Sequence, residues 1–410
     1  MRIAFLTGMV TSPTKPGGYV HVTQVGNNLQ SRGHTLYTNL LQESDKFIRL
    51  TEDEFFKRGR EIEAFYIRLH GSAWNDEITR FRSANPDAPC IWEVNAPLEE
   101  LRMRGVPEEE IFKKNERRKE LAKMVDAAVC VSLEMEEYAK DFLGIKKTFV
   151  VQNGADREMF TPAKREKDLY RQTDFKVLWS GSPEYTWQGL EIAQKLAQKL
   201  KVVDRSILVV ATAEGTSTEN LLYLGNLPYS EMPRYMASAD VGLCIYKEID
   251  FFEKFFFSPL KLYDYMASGL PIIGSNVGQI KLVLEEYKNG VLTDTTLDDL
   301  IEKVMYVKNN RAEAYEMGKN GRRAVVERHN WRNVALRLEE IILSLIGERK
   351  SFAFSLCPEG ITDSRDKIIP PNDSVLNQAR RVSVNTIIQN LKRRRITEPL
   401  RWIYNKLRGQ

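Results

Sequence analysis

The stretch SPLKLYDYMASGLPIIGS, residues 258–275, contains the local signals of a helix followed by a buried strand. Ser258 is a residue type that caps helix starts, and Pro259 suits the first helical position because it has no N–H to leave unpaired. Gly269 favours the left-handed conformation that ends helices, and Pro271 prevents continuation. We therefore predict a helix of about three turns, a tight turn and the short strand PIIGS.

Two charged residues stand in the first turns of this otherwise apolar helix. Lys261 and Asp264 are three residues apart, so they share one helix face. The backbone N–H groups of Leu260 and Lys261 are among the unpaired donors of the helix start, which attract phosphate. A carboxylate one turn further along could hold a sugar diol. The alternative is an ordinary exposed ion pair, and the stretch alone leaves both interpretations open.

Outward from this stretch, short apolar strands alternate with helices. In the N-terminal half the segments RIAFLTG, AFYIRLH, PCIWEVNAP, AAVCVS and KTFVVQNGAD read as buried strands, and a glycine loop at residues 17–18 leads into a helix that ends near Gly33. A charged stretch, residues 156–174, interrupts the pattern, which then restarts with KVLWSG, SILVVA, NLLYLGNL and DVGLCIY. This alternation predicts an α/β protein with parallel, doubly wound sheets.

The restart divides the chain into two Rossmann-like domains facing across a cleft. We place the first at residues 1–165 and the second at 166–346, followed by a linker at 347–379 and a basic helical tail at 380–410. In such folds ligands gather at the carboxyl ends of the strands.

The composition excludes several classes of protein. No apolar run reaches the roughly 18 residues of a spanning helix. The four cysteines are widely spaced without a CxxC pair, which argues against a structural zinc site and for a reducing compartment such as the cytoplasm. With four histidines, no HExxH motif and no persuasive DxD motif at a strand end, we predict neither a cofactor nor a required metal.

In order and spacing, several motifs resemble the retaining glycosyltransferases of family 4, which have the GT-B fold. They are the early GG and RGH, VSLEMEEYAKDFLGI, VVQNGADREMF, WSGSPEYTWQGLE, YLGNLPYSEMPRYMASADVGL and SPLKLYDYMASGLPIIGSNVG. EVNAPL and SPLKL resemble a branch common in bacterial polysaccharide and glycolipid clusters. The resemblance covers the chain nearly from its start to about residue 345.

The resemblance implies roles for the opening stretch. The corresponding helix start binds the nucleotide diphosphate through backbone N–H groups, here those of Leu260 and Lys261. A carboxylate in its first turns holds the ribose hydroxyls, and Asp264 stands where the family usually has Glu. The family's other Glu, eight residues earlier, falls on Phe256, and Ser258 or Lys261 would partly replace it.

Three further departures concern the reacting centre. Ser182 and Gln188 stand where many members have Arg and Lys. Lys261 is then the natural cation for the diphosphate leaving group, with Lys254 a weaker candidate. Asn95 stands where many members have a histidine near the reacting sugar. An amide cannot act as a base, but retention by front-face attack needs none, because the departing phosphate oxygen can take the proton.

Other candidates divide between the donor and acceptor sides. Gly17 and Gly18 would bring backbone close to phosphate or acceptor, unless they form a plain strand-to-helix turn. Gly225 begins a segment that would offer backbone groups to the base edge. The predicted acceptor-side residues are His21, Arg68, His70 and Glu93.

Two of these residues have open alternatives. His21 either faces the cleft or is a satisfied structural histidine, and Glu93 either contacts the acceptor or pairs with Arg68. Asn153, Gly154 and Asp156 match the NGxD of the family, with a structural role expected at the domain junction.

The sequence thus predicts transfer of a sugar from a nucleoside diphosphate sugar to a hydroxyl of a glycan or lipid-linked acceptor. A nucleotide-sugar epimerase of the same fold and a non-catalytic nucleotide-sugar-binding subunit are the alternatives. No nucleic acid partner is expected. The enzyme would be cytoplasmic, with a peripheral position at the membrane if the tail binds there.

The tail generates a first testable prediction. Residues 380–408 hold nine basic residues and one acidic residue, a net charge of +8, together with two apolar helical stripes separated at Pro399. This pattern suits helices lying on an anionic membrane, where each basic residue adds about 1 kcal/mol. Packing on the N-terminal domain and a solvated or partner-binding face are the alternatives.

We expect the full-length protein to sediment with anionic vesicles and a chain ending near residue 350 to remain in the supernatant. Failure of the full-length protein to sediment would exclude membrane binding.

Overall fold

The computed structural model describes residues 1–7, 16–38, 48–49, 54, 57–68, 75–167, 169–170, 175–247 and 254–356. The predicted basic tail, the predicted linker beyond residue 356 and His70 lie outside these residues.

The first sheet has seven parallel strands in the order β3-β2-β1-β4-β5-β6-β7. These strands are β1 (Arg2–Thr7), β2 (Thr35–Thr38), β3 (Ile48–Arg49), β4 (Ala64–Arg68), β5 (Cys90–Val94), β6 (Ala127–Cys130) and β7 (Thr148–Val150). The chain between them forms α1 (Pro16–Ser31), α2 (Asn75–Ala84), α3 (Glu108–Met124) and α4 (Leu133–Asp141). Strands β1 and β5 are almost wholly buried, because helices cover both faces of the sheet.

The second sheet has six parallel strands in the order β10-β9-β8-β11-β12-β13. They are β8 (Phe175–Trp179), β9 (Ile207–Ala211), β10 (Leu221–Tyr223), β11 (Val241–Cys244), β12 (Ile272–Ser275) and β13 (Gly290–Thr293). Its helices are α5 (Leu190–Val203), α6 (Met232–Ser238), α7 (Leu260–Ala267), α8 (Gly278–Tyr287), α9 (Leu297–Asn309) and α10 (Arg311–Glu327). The predicted pair of Rossmann-like, doubly wound halves is therefore confirmed.

The strand orders place one switch point in each sheet. The order reverses between β1 and β4 in the first sheet and between β8 and β11 in the second. Loops that leave neighbouring strands in opposite directions open a crevice at such a point. Arg68 is the last residue of β4, and Ser182 lies in the segment after β8; both are predicted site residues.

The last described helix, α11 (Trp331–Leu356), packs on the first sheet although it follows the second. The sequence of this helix has an apolar stripe at helical spacing, and the stripe is buried against Ile3, Phe5 and other residues of the first core. Its members are Val334, Leu338, Ile341, Ile342 and Leu345. The predicted second domain, residues 166–346, included the first part of this helix. Periodicity identified the apolar stripe, but it does not identify the sheet that the stripe covers.

The linker expected at residues 156–174 is also partly core. Phe160 and Tyr170 are buried in the cluster beneath the second sheet, which anchors this charged segment to the second domain. The sequence pattern also missed strands β2, β3 and β13 and helices α8 to α10. These strands are only two to four residues long, so alternation of apolar residues is a weak signal for them.

Among the described helices, none combines the length and the apolar character that crossing a membrane requires.

Helix α11 leads to a stability prediction with an internal control. Leu338 is 2% exposed in the first core, whereas Leu343 on the same helix is 50% exposed. We expect Leu338→Ala to lower the free energy of unfolding by about 2–5 kcal/mol, since it leaves a cavity. Leu343→Ala should change it by less than about 0.5 kcal/mol. Urea unfolding followed by tryptophan fluorescence measures both. Equal effects would contradict the packing of α11 on the first sheet.

Candidate active site

The loop after β8 forms one wall of the switch point in the second sheet. Gln188 folds back over this loop, and its side-chain oxygen accepts the Ser182 N–H at 3.0 Å. Its backbone carbonyl accepts the indole N–H of Trp179 at 2.7 Å. A Cβ at Gly181 would lie 2.5 Å from the Gln188 side-chain oxygen and 2.9 Å from the Trp179 ring, so a larger residue there would displace one of these side chains. Two residues predicted on the donor side, Ser182 and Gln188, are thus in direct contact.

Lys261, in the first turn of α7, points to the same place. Its Nζ lies 3.5 Å from the Gln188 carbonyl oxygen, 5.1 Å from the Trp179 ring centre and 4.8 Å from that of Tyr246. The side chain is buried, and within the described residues no carboxylate forms a salt bridge with it. Burial lowers the pKa of Lys261 to about 8. A cation held by aromatic faces and a carbonyl dipole, without an acid, retains its capacity to attract an anion.

Asp264 lies one turn along the same helix and is also buried. The Tyr229 hydroxyl lies 3.1 Å and 3.2 Å from its two carboxylate oxygens and donates to the group. Burial raises the pKa of Asp264 well above its usual value; the Tyr229 hydrogen bond acts against this rise and nearby Asp156 adds to it. The two charged residues therefore have separate buried partners, which excludes an exposed Lys261–Asp264 ion pair. The predicted ribose contact at Asp264 stays a prediction.

The start of α7 differs in detail from the prediction. The helix begins at Leu260 and ends at Ala267, so it has eight residues, fewer than the expected three turns. The predicted N-cap at Ser258 is wrong, because Pro259 occupies that position and no side chain caps the helix. The Ser258 hydroxyl instead lies 3.3 Å from that of Tyr263. The predicted stop is confirmed, since Gly269 has φ of 74° and Leu270 N–H donates to the Tyr265 carbonyl at 3.0 Å.

The predicted glycines occupy two different settings. Gly17 and Gly18 lie in the first turn of α1, which begins at Pro16, so the expected glycine loop is helical at these residues. Among the described residues, no atom lies within 4 Å of a Cβ placed on Gly17. Gly225 follows β10 with φ of 74°, and its N–H donates to the Ala213 carbonyl at 3.0 Å. That donor is occupied, so a contact of Gly225 with a base would need its carbonyl oxygen.

On the acceptor side, three predicted residues form one buried cluster. Glu93, at the end of β5, lies 2.8 Å from Arg68 Nε, 2.9 Å from His21 Nε2 and 2.5 Å from the Tyr66 hydroxyl. The carboxylate is 1% exposed. Burial opposes its ionisation, yet the charges of His21 and Arg68, with hydrogen bonds from His21 and Tyr66, lower the pKa of Glu93 to about 2. The open choice for Glu93 is thus decided in favour of pairing with Arg68.

Asn95 stands two residues after Glu93, where the chain leaves β5, and is half-buried. Its position at the carboxyl end of a strand is where ligands gather in this architecture. Lys254, the weaker cation candidate, forms an ion pair with Glu137 on α4, and its side chain is half exposed. Lys261 is therefore the better placed of the two lysines predicted for the leaving group.

Some residues that build the site carried no usable sequence signal. Trp179, Tyr229 and Tyr246 contact Lys261 or Asp264 from the ends of different strands, 15 to 82 residues away along the chain. Aromatic residues at strand ends are common in cores, so composition does not distinguish them. Only the convergence of β8, β10 and β11 on α7 reveals their role.

Comparison with known proteins agrees with this architecture. Residues 158–340 match the family model described as "Glycosyl transferase-like". A Bacillus subtilis (strain 168) protein named "Putative teichuronic acid biosynthesis glycosyltransferase TuaH" is 24% identical over 341 residues, covering 69% of this chain and 78% of the relative.

Two solved structures share the fold at low sequence identity. HepE of Anabaena, in complex with UDP, aligns with a TM-score of 0.63 at 15% identity, covering 84% of this chain and 100% of that chain. Sucrose-phosphate synthase from Thermosynechococcus elongatus aligns with a TM-score of 0.62 at 15% identity, covering 86% and 99%.

Asp264 yields a prediction about stability and pH. An acid whose folded-state pKa is raised destabilises the fold increasingly as pH rises from its unfolded value to its folded value. Asp264→Asn removes this cost and keeps an acceptor for Tyr229. We expect the variant to raise the melting temperature of the nucleotide-free protein more at pH 8 than at pH 5.5. Thermal melts at both pH values measure the difference.

The matched control is Asp298→Asn, at an exposed position in the first turn of α9. Its effect on the melting temperature should be the same at pH 5.5 and pH 8. A gain at Asp264→Asn that is equal at the two pH values would contradict the raised pKa.

The chain therefore has the GT-B fold, and its residues 158–340 and its curated relative are similar to glycosyltransferases.

Proposed function

We propose that this chain is a retaining, family 4 hexosyltransferase that moves a sugar from a nucleoside diphosphate sugar to a hydroxyl of a glycan or lipid-linked acceptor. The observation that carries the proposal is Lys261, a buried cation without an acidic partner in the described residues, at the start of α7 beside the switch-point loop. HepE was solved with UDP, which supports a nucleotide donor. The name of TuaH supports an acceptor in cell-surface polysaccharide synthesis.

The proposed donor pose follows from the start of α7. The diphosphate would accept hydrogen bonds from the N–H groups of Leu260 and Lys261, which lie among the free donors of the first helical turn. The ribose would lie toward Asp264, one turn further along. The Lys261 ammonium, whose pKa burial lowers to about 8, would gain a strong anionic partner when the donor binds.

Bond breaking then places charge on the leaving diphosphate. Groups that stabilise this charge accelerate the reaction when they act more strongly in the transition state than in the ground state. With Ser182 and Gln188 in place of the family's Arg and Lys, Lys261 supplies the cation. Gln188 contributes by fixing the loop after β8 through its hydrogen bond from the Ser182 N–H and by holding Lys261 through its carbonyl.

The acceptor hydroxyl would attack the donor sugar on the same face of the ring from which the diphosphate leaves. Its proton passes to the departing phosphate oxygen, so no enzymatic base is needed. Asn95, at the carboxyl end of β5, would hydrogen-bond a sugar hydroxyl near the reacting carbon. We further propose that the reaction needs no metal. No cluster of three His, Cys, Asp or Glu side chains suited to an ion occurs in the described part of the chain.

We also propose that the enzyme works at the cytoplasmic face of the membrane, where lipid-linked acceptors are found. The basic tail at 380–408 would supply the contact with anionic lipid.

A panel of UDP-, GDP- and ADP-sugars, first in thermal shift and then in transfer assays with EDTA, tests the proposal. A ligand present at a hundred times its dissociation constant adds about 2.7 kcal/mol of stability. NMR of the product should show retained anomeric configuration. Donor conversion without acceptor would indicate an epimerase. Nucleotide binding without consumption of any sugar would indicate a non-catalytic subunit.

A substitution at Lys261 tests its role directly. We expect Lys261→Met, which keeps the length and apolar stem, to lower kcat by about 100-fold while the affinity for the nucleoside diphosphate falls less than about tenfold. The reason is that the cation acts mainly on the charge that develops in the transition state. Steady-state kinetics and calorimetry measure the two quantities.

Lys195→Met is the matched control, because Lys195 is half exposed and pairs with Glu191 on the surface of α5. It should leave both quantities unchanged. Loss of affinity with unchanged kcat at Lys261→Met would refute the proposed role.

A further inference from the structure

A chain of hydrogen bonds runs from the buried cluster of the first domain to the start of α7. Glu93 contacts His21 Nε2 at 2.9 Å, and His21 Nδ1 lies 2.8 Å from the side-chain oxygen of Asn153. The Asn153 amide nitrogen donates to the Ser258 carbonyl at 2.7 Å. All four residues are less than 9% exposed. The side chains of His21 and Asn153 thus connect the buried Glu93 carboxylate of the first domain to Ser258, which lies two residues before the start of α7.

The partners fix the orientation of the His21 ring. The Ser258 carbonyl can only accept, so it faces the NH2 group of Asn153, and the Asn153 oxygen is turned toward His21 Nδ1. Nε2 on the other side of the ring faces the carboxylate of Glu93. Both ring nitrogens are therefore held by polar partners, one from each end of the chain of hydrogen bonds.

Neighbouring side chains hold the ring in place. Glu93 from β5 is its carboxylate partner, and the same carboxylate binds Tyr66 and Arg68 from β4. Trp331 of α11 packs its ring edge-to-face on His21 with centres 5.3 Å apart. Loss of Asn153 or Glu93 would leave a buried ring nitrogen of His21 without a partner, so the chain of bonds depends on both residues.

We propose that His21, through Asn153, is a positioning residue that fixes the start of α7 relative to the first domain. The inference rests on the proposed function, since α7 is where the donor diphosphate would bind. The donor N–H groups belong to α7, whose packing in the second core does not need Asn153. Breaking the chain should therefore leave nucleotide affinity nearly intact and misplace the donor relative to the acceptor.

A second hydrogen bond connects the segment before α7 to the first domain. The Ser132 hydroxyl, at the start of α4, donates to the Phe256 carbonyl at 2.8 Å. Together with Asn153, it attaches residues 256–258 to the first domain from two sides.

The test uses the full-length protein with Asn153→Ala, His21→Gln and Glu93→Gln. We expect Asn153→Ala and His21→Gln to lower kcat about 10- to 100-fold, while the affinity for the nucleoside diphosphate changes less than about threefold. Hydrogen exchange at residues 254–262 should become faster in both. His34→Gln is the control, because His34 is another buried histidine beside a carboxylate, Glu339, away from α7. It should leave both readouts at the wild-type level.

The split between kcat and nucleotide affinity is a readout that a merely structural role would not give. A variant that only loosened the fold would lower both quantities together. Glu93→Gln keeps the size of the side chain but weakens its contact with His21, so it should show the same split.

These measurements separate the two proposals. If the wild-type protein transfers no sugar, the proposed function fails, while hydrogen exchange at residues 254–262 still judges the role of His21. Wild-type kcat or unchanged exchange in a folded Asn153→Ala protein, with folding checked by its melting temperature, would overturn that role.

Discussion

A buried charge has to find compensation inside the protein, and this constraint governs α7. Every residue of this short helix after Leu260 is buried, including Lys261 and Asp264. Two aromatic rings and a carbonyl stabilise the ammonium, and a tyrosine hydroxyl stabilises the carboxyl group. The partners come from three strand ends and the loops after them, those of β8, β10 and β11. The second sheet must therefore be assembled before α7 can carry these groups.

The same constraint operates in the first domain, with a different outcome. Glu93 is buried as deeply as Asp264, but Arg68 and His21 are its partners, so the pKa of Glu93 falls while that of Asp264 rises. The Glu93 carboxylate organises its neighbours in the first domain. Asp264 has a tyrosine hydroxyl as its hydrogen-bond partner and is the acid that we propose for the ribose. Neighbouring charge, rather than burial, distinguishes the structural acid from the proposed ligand-binding acid.

The two domains are joined by close backbone contacts as well as by side chains. Ala155 N–H donates to the His329 carbonyl at 3.0 Å, and a Cβ on Gly154 would lie 2.8 Å from the backbone of Asn330. The chain then turns into α11 and returns to the first sheet. The NGxD segment thus lies where the chain passes from the first domain to the second and next to where it returns, which agrees with the structural role that its sequence suggested.

Local patterns in the sequence determined most of the secondary structure. The strands from AFYIRLH to PIIGS, the glycine stop at Gly269 and the apolar stripe of α11 are visible in the sequence because short-range sterics and periodicity produce them. The order of the motifs also indicated the GT-B fold and directed attention to Lys261 and Asp264.

Tertiary structure alone decided what those residues contact. The sequence could not place Tyr229 on Asp264, Trp179 and Tyr246 on Lys261, or His21 between Glu93 and Asn153, because these partners are 15 to 132 residues apart along the chain. It also could not assign α11 to the first sheet, since an apolar stripe packs equally well on any complementary surface. Residue type and spacing are properties of a segment, whereas partners, burial and protonation depend on which strand ends the fold brings together.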